Sequence, residues 1–282
     1  MFNNLAIFYW NKILDFLSYK DCCNIKSLFK SKKNNYNYKV CVVCPTYNRR
    51  IFLPILIYQF NYQDYPKELL QLLILDDSDM TNQDIIDNLD DKLKNRIIYI
   101  YDNNKKPIGQ KRNILNQMAL ENNAEYIVCF DDDDYYPSNR VSYGIDELIK
   151  HKYIIGGTST LLIYYAKINK LYLVGPFTNK INYGHATNGT LVYHIKYLEN
   201  NSYDNESTIT EERKFLRNYK IPLLQLDYNN VMICISHKTN TVDKTRLKRN
   251  SNAKEIYKNI NEYILDDYLL KFYKNLYNII YI

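Results

Sequence analysis

Glycine is scarce in this chain, and its placement excludes two common ways of binding a nucleotide. Only 7 of the 282 residues are glycine, and none precedes Gly109. The first predicted strand therefore cannot be followed by G-x-G-x-x-G, and G-x-x-x-x-G-K-[ST] occurs nowhere. Rossmann dinucleotide-binding domains and P-loop proteins need these turns to bring the backbone close to phosphate. A nucleotide bound here would need other groups, such as acids with a metal, to hold its phosphates.

A disulfide framework is also missing. Four of the six cysteines fall inside predicted strands and are interpreted as small core residues: Cys41, Cys44, Cys129 and Cys234. The spacing Cys41-x-x-Cys44 resembles a redox or zinc motif, but residues three apart in a strand point to opposite faces. We therefore expect a reducing compartment and predict a cytoplasmic location.

No hydrophobic run is long enough to suggest a membrane span. The apolar stretch Leu5 to Leu17 is interrupted by Asn11, Lys12 and Asp15. It is too short and too polar to cross a bilayer, and it lacks the layout of a signal peptide. We predict an amphipathic helix that packs on the body, mediates self-association or touches a membrane surface.

A strong excess of one charge is absent as well. The formal net charge of +6 is mild for this length, and no nucleic-acid partner is expected. One basic run could meet phosphate or acidic lipid, although a solvated surface is the simpler interpretation. It contains Lys238, Lys244, Arg246, Lys248 and Arg249.

The chain does contain four consecutive aspartates, Asp131 to Asp134, directly after the apolar segment Tyr126–Phe130. Such a segment is typical of a buried strand, so the acids lie where a central strand ends. Open α/β sheets bind ligands at that edge. Adjacent carboxylates repel one another, and their oxygens suit Mg²⁺ or Mn²⁺ shared with a phosphate. The alternative is a solvated acidic turn.

Residues 38–150 alternate strand and helix patterns, which predicts an α/β domain with a mostly parallel, doubly wound sheet. Residues 1–37 precede it as a predicted helical extension and linker. The predicted strands are Val40–Cys44, Leu70–Leu75, Arg96–Tyr101 and Tyr126–Phe130. The predicted helices are Phe52–Phe60, one from about Asn82, Gly109–Glu121, and one from Pro137 through Lys150.

Residues 151–250 show a different, mixed pattern, and residues 251–282 are predicted as a C-terminal helix. A short helix is expected over Glu211–Tyr219, capped by the hydroxyl of Thr210, and an amphipathic helix over Glu255–Tyr277. The strand candidates are Ile154–Ile168, Leu171–Val174, Thr190–His194 and Val231–Ile235.

Four short motifs, in order and at matching spacing, resemble those of family 2 glycosyltransferases with the GT-A fold. They are Cys44-Pro45-Thr46-Tyr47-Asn48-Arg49, Leu75-Asp76-Asp77-Ser78, Gly109-Gln110-Lys111-Arg112-Asn113, and Phe130-Asp131-Asp132-Asp133-Asp134-Tyr135-Tyr136-Pro137. The resemblance covers roughly residues 38–242. It implies a GT-A type, Rossmann-like and mostly parallel central sheet flanked by helices. Residues 38–150 would be its nucleotide-binding half, and the mixed region 151–250 its sugar and acceptor half.

The same resemblance implies a nucleotide-sugar donor, most often UDP-linked, and one divalent cation, Mn²⁺ or Mg²⁺. Asp76 or Asp77 would contact the base, because a carboxylate accepts the N–H of uracil. Asp131 would face the ribose and Asp133 the metal, although a one-residue slip of the motif exchanges these acids. The implied donor-binding residues are Pro45, Thr46, Tyr47, Asn48, Arg49, Asp76, Asp77, Gly109, Lys111, Arg112, Asp131 and Asp132. The implied metal ligands are Asp133, Asp131 and His237.

Lys111 and Arg112 have a rationale that is independent of the resemblance. Both lie near a predicted helix N-terminus, where free N–H groups and the helix dipole already favour anions. Two cations there would suit a diphosphate, mostly through Arg112, whereas solvated surface charge is the alternative.

The segment Thr210–Leu216 resembles the acidic motif that supplies the general base of inverting family members. Here both acids are glutamates, and the choice between Glu212 and Glu211 stays open. Ser236-His237-Lys238-Thr239-Asn240-Thr241 resembles an H-x-x-N-T ending of the family. His237 could therefore complete a metal site or contact the diphosphate.

These observations predict an enzyme, a metal-dependent and inverting glycosyltransferase that moves a sugar from a nucleotide-sugar to an acceptor hydroxyl on a glycan, protein or lipid. One alternative is a catalytically inactive GT-A-fold binding or scaffold protein. Another is a nucleotidyltransferase, which usually needs the glycine-rich phosphate loop that is missing here.

Overall fold

A seven-stranded, mostly parallel sheet forms the frame of the molecule. The computed structural model describes residues 36–177, 184–249 and 251–281, so the prediction for the N-terminal helix lies outside the described residues. Numbered along the chain, its strands are β1 Val40–Thr46, β2 Leu70–Asp76, β3 Ile97–Tyr101, β4 Tyr126–Cys129, β5 Ile155–Gly157, β8 Val192–His194 and β9 Leu224–Gln225. Their order in the sheet is β3-β2-β1-β4-β8-β5-β9. The first four in this order pair in parallel, as the alternating sequence pattern predicts.

Helices connect these strands close to the predicted positions. The helix expected from Pro137 begins only at Arg140, whose N–H donates to the carbonyl of Pro137 at 3.0 Å. A proline can open a helix, but here it belongs to the turn before the helix. The helices are α1 Leu53–Tyr62, α2 Gln83–Asp87, α3 Asp91–Lys94, α4 Ile108–Glu121 and α5 Arg140–His151.

The second half of the chain extends the large sheet and adds a small one. The strand β8 (Val192–His194) pairs antiparallel with β4 and with β5 (Ile155–Gly157), and β9 (Leu224–Gln225) closes the edge. The second sheet has the order β10-β6-β7-β11. Its strands are β6 Leu161–Tyr165, β7 Lys170–Val174, β10 Ile233–Ser236 and β11 Ala253–Ile256.

Two predicted helices of this half are wrong in extent. The helix expected over Glu211–Tyr219 is only one turn, α6 (Glu212–Phe215), and no side chain caps it. Thr210 has a φ of 51° instead of the extended backbone of a capping residue. The predicted Glu255–Tyr277 helix is β11 followed by α7 (Asp267–Tyr281), because the first residues of that segment pair with β7.

Two hydrophobic clusters form the core of the described residues. One lies on the large sheet beneath α4, with Leu115 and Phe215 fully buried. The other lies between the second sheet, α1 and α7, with Phe272 and Tyr273 buried. A pair of backbone hydrogen bonds between Tyr135 and Ile233, at 3.0 and 2.8 Å, joins the two sheets just after the acidic run.

The four strand cysteines are buried and free, as predicted. Among the residues that the structure describes, no helix combines the length and the apolarity that crossing a membrane requires.

Candidate functional site

The four aspartates after β4 divide between different partners. Asp131 and Asp132 bond to groups of the large-sheet region, whereas Asp133 and Asp134 bond to groups of β10 and the loop that follows it. The repulsion expected of four adjacent carboxylates is therefore offset by separate hydrogen bonds and ion pairs. The run is not the solvated acidic turn of the alternative interpretation, because Asp132, Asp133 and Asp134 are all buried.

Asp134 has internal partners. Its carboxylate accepts from the N–H of Ile235 at 2.7 Å and lies 3.4 Å from the ammonium of Lys244. Its carbonyl accepts from Gln59 and Tyr273. Burial raises the pKa of Asp134 to about 7. This acid therefore ties the acidic run to the second sheet, and Lys244 is not part of a solvated basic surface.

Asp133 lies among groups that favour its charged form. Its Oδ2 is 3.0 Å from Nε2 of His237, 3.1 Å from the amide nitrogen of Asn240 and 3.6 Å from the guanidinium of Arg49. Burial raises the pKa of Asp133, but Lys244, His237 and Arg49 outweigh it and leave the pKa below its usual value. Burial lowers the pKa of His237, which favours the neutral imidazole that binds metals.

Asp132 faces the end of β1. The hydroxyl of Thr46 donates to its carboxylate at 2.6 Å. Burial and the neighbouring charge of Asp133 raise the pKa of Asp132 to about 8. The predicted donor residues Thr46 and Asp132 are thus in direct contact.

The Asp133 and His237 pair fits a divalent cation in part. Metal bonds of about 2.1 Å place adjacent ligands about 3 Å apart, which matches the 3.0 Å between Oδ2 and Nε2. Among the described residues, no group of three or more His, Cys, Asp or Glu side chains could hold a metal. The third predicted ligand, Asp131, bonds to Arg112 instead. Two protein ligands still suit a Mg²⁺ or Mn²⁺ ion whose other ligands are phosphate and water.

The turn after β1 is fastened to the turn after β2. Asn48, with a φ of 54°, donates from its side chain to Asp79 at 2.9 Å, and its N–H donates to the hydroxyl of Ser78 at 2.7 Å. Tyr47 is half-buried, with the ammonium of Lys105 4.1 Å from its ring centroid. Pro45 is buried within β1. These contacts bring the two predicted nucleotide-binding turns together.

Asp76 and Asp77 lie at the end of β2, and both are buried. The carboxylate of Asp76 accepts from both the N–H and the hydroxyl of Ser78, from Asn82 and from Tyr99, so its lone pairs are fully used. Asp77 accepts from the ammonium of Lys111 at 2.6 Å and from the N–H of Lys106 at 2.7 Å. Asp77 therefore keeps free lone pairs, but its side chain is fully buried, so neither carboxylate is exposed to a base.

Lys111 and Arg112 point in different directions from the first turn of α4. Lys111 binds Asp77 and the carbonyl of Thr46, so it joins the ends of β1 and β2. Gly109, in the same turn, is a packing residue, because a Cβ there would lie 1.9 Å from the carbonyl oxygen of Asp204.

Arg112 joins three parts of the site. Its guanidinium donates to Asp131 at 2.8 Å and to Glu211 at 2.8 Å. The amide of Asn188 lies within 2.7 Å of the same guanidinium and within 2.6 Å of the hydroxyl of Tyr203. Burial alone would lower the pKa of Arg112. The negative charges of Asp131 and Glu211 outweigh that effect and raise the pKa above its usual value, so the guanidinium stays charged. Arg112, a predicted donor-binding residue, thus contacts both a predicted metal ligand, Asp131, and a predicted catalytic residue, Glu211.

Glu212 has a different environment from Glu211. Its carboxylate accepts from the hydroxyl of Tyr219 at 3.3 Å, and it makes no ion pair among the described residues. Burial and the charge of Glu211 raise the pKa of Glu212 to about 7. A carboxylate with this pKa can accept a proton near neutral pH.

Sequence reasoning missed several residues of the site. Tyr219 is hidden among 30 tyrosines, and nothing in the sequence distinguishes it. The sequence places Lys244 in a basic run, although it is the cation beside Asp134. Asn240 lies in the noted Ser236–Thr241 segment, and its bonds to Asp133 and to the N–H of His237 fix that loop.

Comparisons with known proteins bear on the family and the fold of the chain. Residues 41–167 match the family model described as Glycosyl transferase family 2, which confirms the predicted resemblance. No curated protein matches the sequence significantly.

Two solved structures share the fold, which confirms the predicted GT-A architecture. S. aureus TarS 1–349 is 18% identical with a TM-score of 0.50, covering 70% of this chain and 60% of that chain. The Pyrobaculum calidifontis mannosyltransferase PcManGT, in complex with GDP-Man and Mn²⁺, is 12% identical with a TM-score of 0.51, covering 82% of this chain and 66% of that one. The chain spans 36% of a longer S. aureus TarS structure.

Proposed function

Because residues 41–167 match the Glycosyl transferase family 2 model and the chain has a GT-A fold, we propose that this chain is a metal-dependent, inverting glycosyltransferase. Its donor is a nucleotide-sugar of the uridine class, as the resemblance of its motifs implies, and its acceptor is a hydroxyl group. Residues 38–250 form the proposed catalytic domain, with donor binding in 38–150. The buried free cysteines support a reducing, cytoplasmic location.

The observation that carries this proposal is the position of Arg112. One guanidinium holds Asp131, at the end of β4, and Glu211, at the start of α6. A carboxylate with a raised pKa, that of Glu212, follows directly in the chain. This arrangement supports a reaction centre between the strand ends, where the donor would bind, and α6, where the acceptor would approach.

The proposed transfer is a single displacement. Glu212 takes the proton of the acceptor hydroxyl while that oxygen forms a bond to the anomeric carbon of the donor sugar. The bond from the anomeric carbon to the diphosphate breaks, and its electron pair leaves on the diphosphate oxygen. Attack opposite the leaving group inverts the anomeric configuration, and no covalent enzyme intermediate forms.

The remaining residues position the reactants and balance charge. Glu211 and Asp131 hold Arg112 in place, and its positive charge can offset charge on the departing diphosphate. Asp133 and His237 would hold the cation, which would neutralise the same diphosphate charge when bound. An imidazole ligand beside a carboxylate favours Mn²⁺ over Mg²⁺. Arg49, 3.6 Å from Asp133, would contact the phosphates.

A screen of nucleotide-sugars tests the proposal. The chain is heated with each of UDP- and GDP-linked sugars, with and without Mn²⁺, and hydrolysis of any stabilising donor is then measured. We expect one donor class to raise the melting temperature only with the cation, because binding to the folded state stabilises it. We also expect slow release of the nucleoside diphosphate. Binding without any turnover would support the scaffold alternative, and the absence of binding by every donor would refute the proposal.

A further inference from the structure

Two adjoining cavities lie beside the two glutamates. Their volumes are about 580 and 560 Å³, and both are lined by Thr210, Arg213 and Asn218. Glu211 lines one of them, and Tyr219, whose hydroxyl donates to Glu212, lines the other. Glu212 itself lines neither cavity, but a molecule held there would contact its chain neighbour Glu211 and its hydrogen-bond partner Tyr219.

The cavity walls are rich in exposed cations. Arg213, Lys214, Arg217 and Lys220 all contribute to the lining, and all four are exposed. Asp204 lines the wall too, but its carboxylate is 4.0 Å from Lys214 and more than half exposed.

The second lining acid, Glu211, is already paired with the buried Arg112 at 2.8 Å. The positive charge of the walls is therefore not balanced by the acids that line them, and it attracts an anion.

The backbone around the cavities has an unusual conformation. Arg217, Asn218 and Tyr219 have φ values of 48°, 55° and 61°, and Thr210 across the cavity has 51°. Residues other than glycine rarely adopt positive φ, and such conformations often occur at functional sites. The turn brings Asn218 back to Arg213, whose Nε donates to its side chain at 3.1 Å while the N–H of Asn218 donates to the carbonyl of Arg213 at 2.7 Å.

We propose that these cavities bind an acceptor that carries a phosphate or carboxylate group beside its reactive hydroxyl. The anion would contact Arg213 and Lys220, which would place the hydroxyl toward Glu212. This inference rests on the proposed glycosyltransferase function and specifies its acceptor class. The transfer step is unchanged: the hydroxyl proton goes to Glu212, the new glycosidic bond forms, and the diphosphate leaves.

Three matched sugars test the charge preference directly. Methyl glucoside, methyl glucoside 6-phosphate and methyl glucuronide differ only at carbon 6, where they are neutral, phosphorylated or carboxylated. Binding of each to the full chain is measured by calorimetric or NMR titration at 50 and 300 mM NaCl. We expect at least one anionic sugar to bind ten-fold or more tightly than methyl glucoside, and the higher salt to reduce that difference. Which anion binds distinguishes a phosphorylated from a carboxylated acceptor.

A double variant, Arg213→Gln with Lys220→Gln, should lose the preference for the anion at least ten-fold. Both side chains are exposed, so the fold should persist, which circular dichroism checks. Arg246→Gln is the matched control, because Arg246 is 87% exposed and outside the cavities, and it should keep the preference. Equal binding of the three sugars, or an unchanged preference in the double variant, would overturn the proposal. Donor hydrolysis by the wild type without acceptor is measured in parallel. If hydrolysis is present, these outcomes refute only the acceptor class; if it is absent, the transferase proposal itself fails.

Discussion

Asp133 and Glu212 are both buried carboxylates, but their surroundings shift their pKa values in opposite directions. Asp133 has Lys244, His237 and Arg49 nearby, and together they leave its pKa below the usual value despite burial. Glu212 is next to another acid and makes no ion pair among the described residues, and its pKa is raised to about 7.

Burial alone raises the pKa of both groups, so the difference comes from neighbouring charges. One carboxylate is kept charged, as a cation ligand must be, and the other can exchange a proton at neutral pH. The comparison teaches that the roles of two similar acids are set by which cations the fold brings near each.

The largest effect is expected from removing the proton acceptor. Glu212→Gln keeps the size of the side chain but cannot take the acceptor proton, so kcat for transfer should fall by ~10²- to 10⁴-fold. Stopped-time assays of nucleoside diphosphate release with acceptor present measure this. Donor affinity should stay within a few-fold, because the change lies outside the proposed donor residues. If Glu211→Gln gave the larger loss of kcat while Glu212→Gln kept most of it, the roles of the two glutamates would have to be exchanged.

The next effect concerns Asp133. Asp133→Asn removes the charge that a cation needs, so Mn²⁺-dependent donor binding should weaken by at least ~10-fold, a loss seen even for outer-shell partners of metal ligands. Calorimetric titration of donor with and without Mn²⁺ measures it. The neighbouring Asp134→Asn is the control: its partners are internal, so it should lower stability and leave the cation dependence unchanged. Identical cation dependence in the Asp133 variant would reject the metal assignment.

The pH dependence should report Glu212. Below its pKa of about 7 the protonated acid cannot accept a proton, so kcat/KM for transfer should fall about ten-fold per pH unit below 7 and level off above it. Steady-state rates between pH 5.5 and 8.5 at saturating Mn²⁺ test this. A flat profile over that range would contradict Glu212 as the base.

The last effect is a gain in stability, with no direct effect on the cation or the donor. The folded pKa of Glu212 is raised from 4.5 to about 7, so the acid ionises more readily in the unfolded chain. The wild type therefore loses stability as pH rises from about 4.5 through 7. Glu212→Gln should raise the free energy of unfolding by about 2–3 kcal/mol at pH 8, because one pKa unit corresponds to about 1.4 kcal/mol, and by little at pH 4. Urea titrations at the two pH values measure this, and a loss of stability at pH 8 would contradict it.

The sequence predicts the first half of the chain better than the second. In residues 38–150 a strict alternation of apolar strands and helices marks each element, because parallel strands must be buried on both faces. In the second half, strands as short as Gly156 and its two neighbours leave almost no periodic signal. The segment that begins at Glu255 looks helical by pattern, yet its pairing with β7 depends on a partner far away in sequence.

The candidate site shows a similar limit: the sequence identifies its residues better than their partners. Helix position alone makes Lys111 and Arg112 equivalent candidates, but neighbours on a helix point about 100° apart. One meets Asp77 and the other meets Asp131 and Glu211. The sequence supplies both cations and both glutamates, and only the folded chain shows which partner each one has.

The hydrogen bonds between Tyr135 and Ile233 have a consequence for the readiness of the site. Asp133 lies two residues before Tyr135, and His237 lies four residues after Ile233. The gap between the candidate ligands is thus already set when a donor arrives. Donor binding therefore needs little free energy to bring the two sheets together.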